Sequence, residues 1–109
     1  MNALNSILIE GNLVADPVIT LTESGHTTAT FTLVQSHKYD DGTSYTSYFE
    51  VETWAATARK CYDNLRKGHG VRVVGRLKQD RWEDADGNLQ THIKIVAEYV
   101  EVNQFEKQL

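Results

Sequence analysis

The sequence predicts an all-β protein, a small barrel of five strands with one α-helix between the third and fourth. Three observations carry this. β-rich segments of alternating polarity recur along the chain, glycine-containing turn signals separate them, and only one stretch repeats its apolar residues at helical spacing. Parallel α/β folds need helices alternating with strands, and three strands, a helix and two strands is not that order.

Ser6 to Val14 is the first β-rich run, with Gly11 inside it as a bend or bulge. Asp16-Pro17 interrupts it, and Val18 to Thr22 resumes extended. Glu23-Ser24-Gly25 is a hairpin turn. His26 to Ser36 returns, placing Phe31 and Leu33 toward the core against Thr30, Thr32 and Val34. Asp40-Asp41-Gly42 is the second turn, Asp-Gly being a strong hairpin signal. Tyr45 to Trp54 follows, with Phe49, Val51 and Thr53 on one face and Tyr48, Glu50, Glu52 and Trp54 on the other.

Ala55 to Lys67 is the helix. Ala58, Cys61, Tyr62 and Leu65 recur on one stripe, and Gly68 supplies the stop. Val71 to Trp82 is the fourth strand, with Val71, Val73, Gly75 and Leu77 facing one way. Asp84 to Asn88 is a third turn. Thr91 to Val102 is the last strand, with Ile93, Ile95, Ala97 and Tyr99 on one side. This order is that of the OB-fold, a five-stranded Greek-key barrel, and Gly11 and Gly75 fall where its coiled strands must bend.

A chain of 109 residues with 40% hydrophobic content fits one domain, taken as residues 1–105 with a short C-terminal remnant at 106–109. No apolar run approaches the roughly 20 residues of a membrane span. The opening MNALNSILIEG has neither the basic nor the long apolar region of a signal peptide, and the lone Cys61 cannot form an intramolecular disulfide. A cytoplasmic location without membrane attachment is expected.

Net charge is −4, but it is unevenly distributed. Residues 1–57 hold one base, Lys38, against seven acids, and residues 83–109 hold two bases against six. Between them, residues 58–82 hold eight bases against two acids. Charge acts over about one Debye length, roughly 8–10 Å in physiological salt, so a basic segment can hold phosphates on an acidic protein. Dispersal of these charges around the folded surface is the alternative.

Catalytic and metal constellations are missing. Gly68-x-Gly70 follows the helix, where a phosphate loop would precede one. His26, His37, His69 and His92 are spread singly, without metal-ligand spacing. Cys61 reads as a small core residue, Asp84 to Asn88 as a turn and not a calcium loop, and Glu50 and Glu52 as solvated acids. No catalytic residue, metal or cofactor is expected, and the chain is not expected to be an enzyme.

Four rings fall on exposed faces or loops: Tyr39 beside Lys38, Tyr48 and Trp54 opposite Phe49 and Val51, and Trp82 opposite Val73 and Leu77. The face ending in Trp82 also carries Arg72, Val74, Arg76, Lys78 and Asp80. Cations leading to an indole suit phosphates with a base stacked alongside, at roughly 1–3 kcal/mol per stacked base. A solvated strand face with an isolated tryptophan is the alternative there, and Trp54 could instead wedge against the barrel end.

Over nearly its whole length the chain resembles the bacterial single-stranded DNA-binding protein family. The likeness rests on Asn5-x-Ile7-Leu8-Ile9-x-Gly11-Asn12-Leu13, Asp16-Pro17, Ser24-Gly25 and Ala29-x-Phe31-Thr32-Leu33. It continues through Leu65-x-Lys67-Gly68, Val71-x-Val73-x-Gly75-x-Leu77, Trp82 and Asp86-Gly87. The resemblance implies a homotetramer built from dimers that wraps single-stranded DNA without strong sequence preference in replication, recombination and repair. It places stacking on Tyr39, Tyr48, Trp54 and Trp82, and backbone contacts on Lys38, Arg59, Arg72, Arg76 and Lys78. Replication and repair proteins are implied partners, through an acidic-tipped tail that family members carry; this chain ends at EKQL. An open edge on the first strand offers a route to self-pairing. The other reading is an interaction module on the same fold, resembling the primosomal replication protein, with weaker DNA binding.

Overall fold

The computed structural model describes residues 3–102. Strand β1 spans Ile7–Leu13, β2 Val18–Leu21, β3 Thr27–Lys38 and β4 Ser44–Trp54. Helix α1 spans Ala55–Asn64, followed by β5 (Gly70–Glu83) and β6 (Leu89–Val102). The sheet order is β1-β5-β6-β4-β3-β2, and β1 also pairs with β3. That last pairing closes β1, β5, β6, β4 and β3 into a five-stranded barrel. Segment β2 is the first strand resumed after Asp16-Pro17, laid on the far edge of β3. The expected all-β OB-fold is the observed fold.

Alternation decides what fills the barrel. Leu13, Phe31, Leu33, Val51, Val71, Val73, Ile95 and Ala97 point inward, joined by Cys61 and Leu65 from the helix side. Thr53 is the polar exception, fully buried, and its hydroxyl donates to the Ala29 carbonyl at 2.8 Å. Burial pushes the Cys61 thiol up to about 11, so it stays protonated and packs as an apolar group.

Three local features differ from the pattern in the sequence. The helix ends at Asn64 instead of Lys67, because Leu65 turns into extended geometry to plug the core. The next residues are tied elsewhere: Lys67 N–H donates to Asp16 Oδ1 at 2.7 Å and Gly68 N–H to the Leu13 carbonyl at 2.8 Å. Tyr62, expected on the apolar stripe, is exposed. On β6 the pairing shifts between Val74↔Tyr99 and Gly75↔Ala97, so Glu98 is an extra residue. This bulge inverts the alternation, sending Tyr99 outward and Val100 toward the core.

Gly75 sits at that shift. A Cβ there would lie 2.2 Å from the Val96 carbonyl oxygen, so only hydrogen fits. At Gly11 the corresponding approach is 2.8 Å, to the Val34 carbonyl oxygen. Both glycines therefore let neighbouring strands come close.

Both long hairpins, β3–β4 and β5–β6, overrun the barrel. Strands β4 and β6 run parallel, so the two hairpin tips lie at the same end. The helix follows the other end of β4 and closes the barrel there. The proposed domain limit at 105 and the remnant at 106–109 lie outside the described residues.

Candidate nucleic-acid interface

The outer face of β4 carries Tyr48, Glu50, Glu52 and Trp54. Directly opposite on β3 stand Val34, Thr32, Thr30 and Thr28. Thr28 opposite Trp54 and Val34 opposite Tyr48 are small beside the rings, which stand raised above the sheet. On the other side of β4 the neighbour is β6, registered only at Val51↔Ile95 and Glu52↔Val96. Beyond those pairs the strands diverge and leave an open cleft of about 300 Å³. Its walls include Thr32, Tyr48, Glu50, His92 and Lys94 over a floor of Phe49 and Ile95.

Tyr39, Tyr48, Trp54 and Trp82 are between 40% and 66% exposed. Trp54 is the most constrained: its Nε1–H donates to Glu52 Oε1 at 2.7 Å, and its ring meets His26 edge-on at 6.1 Å. The backbone changes course immediately afterwards, where Ala55 takes a left-handed φ of 53° at the helix start. Tyr48 is the most open of the four. Trp82 lies on the projecting part of β5, opposite Gln90.

Tyr39 stands at the β3–β4 tip within an aromatic cluster that sequence reasoning missed. His37 is 4.9 Å and Tyr45 5.6 Å from its ring, with 5.5 Å between those two. The signal was available: a hairpin folding at Asp41-Gly42 places His37 opposite Tyr45.

The cations are not all gathered on this side. Arg72 donates to Glu10 Oε2 through Nε at 3.1 Å and Nη2 at 2.9 Å. Arg76 pairs with Glu98 at 3.3 Å, and Lys78 lies 3.6 Å from Asp80. Arg72 and Arg76 stand on the outer wall of β5, between β1 and β6. Lys38 near the hairpin tip and Arg59 on the helix are exposed and make no ion pair among the described residues. The same holds for Arg81, the neighbour of Trp82. The basic segment thus divides between helix, post-helix loop and two faces of β5.

Two acids on the ring-bearing face are also engaged. Glu50 lies 3.0 Å from His92 Nε2. Glu52, read from the sequence as a solvated acid, is 9% exposed. It is covered by Trp54 and by Lys94, whose Nζ reaches Glu52 Oε2 at 2.6 Å and Asp80 Oδ2 at 2.7 Å. The partners sit 42 and 14 positions apart, beyond the reach of local pattern.

Among known proteins, the model of the Single-strand binding protein family matches residues 4–103. The chain is 34% identical over 106 residues to "Single-stranded DNA-binding protein 2" of Chlorobaculum tepidum, covering 93% of this chain and 72% of that one. It is 33% identical over 99 residues to "Single-stranded DNA-binding protein" of Caldanaerobacter subterraneus, covering 89% and 66%. For the protein of the same description from Deinococcus radiodurans the figures are 30% over 103 residues, 91% and 34%. The chain therefore spans about two thirds of the first two kinds of relative and a third of the last. With the barrel order, the interrupted first strand and the match from end to end of the described fold, this chain belongs to the single-strand binding protein family.

Proposed function

We propose that the protein binds and protects single-stranded DNA without strong sequence preference, by stacking bases on exposed rings and holding phosphates with nearby cations. The supporting observation is the raised aromatic row: Tyr48 and Trp54 share the outer face of β4, and Tyr39 and Trp82 stand on the hairpins that project beyond it. Every base has a π-face, so such a row accepts any sequence. Phosphate contacts fall first to Lys38, Arg59 and Arg81. Arg72, Arg76 and Lys78 contribute less, since each must first give up a carboxylate.

Self-association belongs to the same reading. The Ile7–Ile9 part of β1 pairs with β5 and leaves its other edge for a second copy, whereas the Glu10 carbonyl already accepts from Gln35 Nε2 at 2.9 Å. Exposed Leu8 lies in register with Val74, and Val74 with Tyr99, forming an apolar row across that wall. A homotetramer built from dimers would lengthen the DNA path; a monomer mass by light scattering would reject it. Work in replication, recombination and repair, alongside proteins of those processes in the cytoplasm, and no chemistry of its own, completes the proposal.

The deciding measurement is quenching of tryptophan fluorescence by oligo-dT. Binding should quench, and should weaken as salt rises because counterions are released. Unchanged emission at low salt with excess oligo-dT overturns the proposal.

A further inference from the structure

Lys94 lies in an acidic part of the sequence and matches no expected DNA contact, yet it is the most enclosed cation on the ring-bearing face. Its side chain is 12% exposed, as is that of Glu52. Two of the three ammonium donors are taken, by Glu52 at 2.6 Å and Asp80 at 2.7 Å. The links continue on both sides. Glu52 accepts the Trp54 indole N–H at 2.7 Å, and Asp80 faces Lys78 at 3.6 Å.

The arrangement spans three strands: Glu52 on β4, Lys94 on β6 and Asp80 on β5. Lys78 and Lys94 are directly opposite in register, a like-charge pair that costs stability unless an anion intervenes. Asp80 is that anion. Its carboxyl is held below the ordinary range, first by the hydrogen bond from Lys94. Burial works against the charged form of Lys94, but its bonds to Asp80 and Glu52 outweigh this and raise its pKa.

We infer that Lys94 is a positioning residue of the DNA-binding face: it fixes the Trp54 ring through Glu52 and, with Lys78 on the Asp80 side, offsets carboxylates that would otherwise repel phosphate. The inference deepens the single-strand reading and rests on it. Lys94 itself has little surface left for a phosphate. Without it, Glu52 is an uncompensated acid at a nearly closed site. Its carboxylate would turn toward water and release the indole, while Asp80 would keep only its 3.6 Å pairing with Lys78.

The test has two arms. In the free protein carrying Trp82→Phe, Trp54 is the only tryptophan, and excitation beyond the tyrosine absorption band reads it alone. Lys94→Met should shift that emission to the red and make it more accessible to acrylamide, whereas Lys94→Arg should preserve the parent spectrum. An unchanged Trp54 signal in Lys94→Met overturns the inference whatever the protein binds. With Trp82 restored, Lys94→Met should bind labelled oligo-dT about tenfold more weakly, the scale of one weakened stacking contact. Its salt dependence should keep the parent slope. A slope shallower by about 0.7, the value for one lost phosphate contact on a single strand, would make Lys94 a direct ligand and reject positioning. Lys94→Met could unfold the chain by stranding Glu52, so Lys94→Met/Glu52→Gln/Asp80→Asn removes all three charges together. That variant retains an acceptor for the indole and should recover both spectrum and affinity. A folded triple variant still tenfold weak would overturn the inference. Failure of the parent chain to bind oligo-dT would instead remove the functional reading, leaving the spectral arm to decide the local geometry.

Discussion

Trp82 and Trp54 illustrate how differently two tryptophans can stand on one protein. Trp54 has its N–H committed to Glu52 and one edge against His26, so it presents a fixed ring. Trp82 projects from a hairpin arm and supports nothing in the core. Trp82→Ala should therefore weaken single-strand binding by about 1–3 kcal/mol while leaving the melting temperature close to that of the parent. Equal affinity of variant and parent in a fluorescence-anisotropy titration would show that this ring is no platform. At residue scale the sequence exposed the rings well, because alternation from Phe49 and Val51 places Tyr48 and Trp54 outward. It could not show the fate of Glu52. Its position on the outer face is correct, but burial there depends on Lys94 arriving from another strand.

Among the elements, β5 and β6 meet most tightly where Gly75 faces the Val96 carbonyl. Gly75→Ala adds one methyl group that must push backbone aside. A loss of about 1–3 kcal/mol is expected in urea unfolding, the usual cost of overpacking. An unchanged midpoint would mean that the bulge at Glu98 relaxes to take the methyl. The strands themselves were legible, since their alternation and the Asp-Gly turns set both position and face. The bulge was not. One extra residue in fourteen leaves the composition of β6 unchanged, and only pairing with β5 reveals that Tyr99 and Val100 have exchanged faces. The helix end was hidden for a similar reason. Arg66 and Lys67 are good helix formers, and the bonds from the loop to Asp16 and Leu13 decide against them.

For the whole molecule, charge is settled by partners distant in sequence. Glu10 and Arg72 stand 62 positions apart yet form a two-pronged pair, so a count of bases along the chain overstates the cations free to meet DNA. The Lys94 cluster also gives stability a pH window. Asp80 has a depressed pKa, so its contribution is present above the unfolded value of 3.8 and is lost as pH falls through the folded one. Lys94 has a raised pKa, so its contribution is present below 10.5 and is lost as pH rises through the folded value. The gap in melting temperature between the parent and Lys94→Met should hold steady between those limits and narrow beyond each. A gap that ignored pH would detach the cluster from stability.

The short β4–β6 seam has a consequence for motion. Each hairpin is laced along its length, from Thr28↔Trp54 to Lys38↔Ser44 and from Val71↔Val102 to Glu83↔Leu89, whereas two registered pairs join one hairpin to the other. The wall therefore has a crease. Thermal opening should part the two ribbons there and at the equally short β1–β3 seam, while each ribbon remains intact. Hydrogen exchange should find the amides bridging that crease giving way ahead of those inside either ribbon. A polymer threading across it would meet a floor able to widen without the fold coming undone.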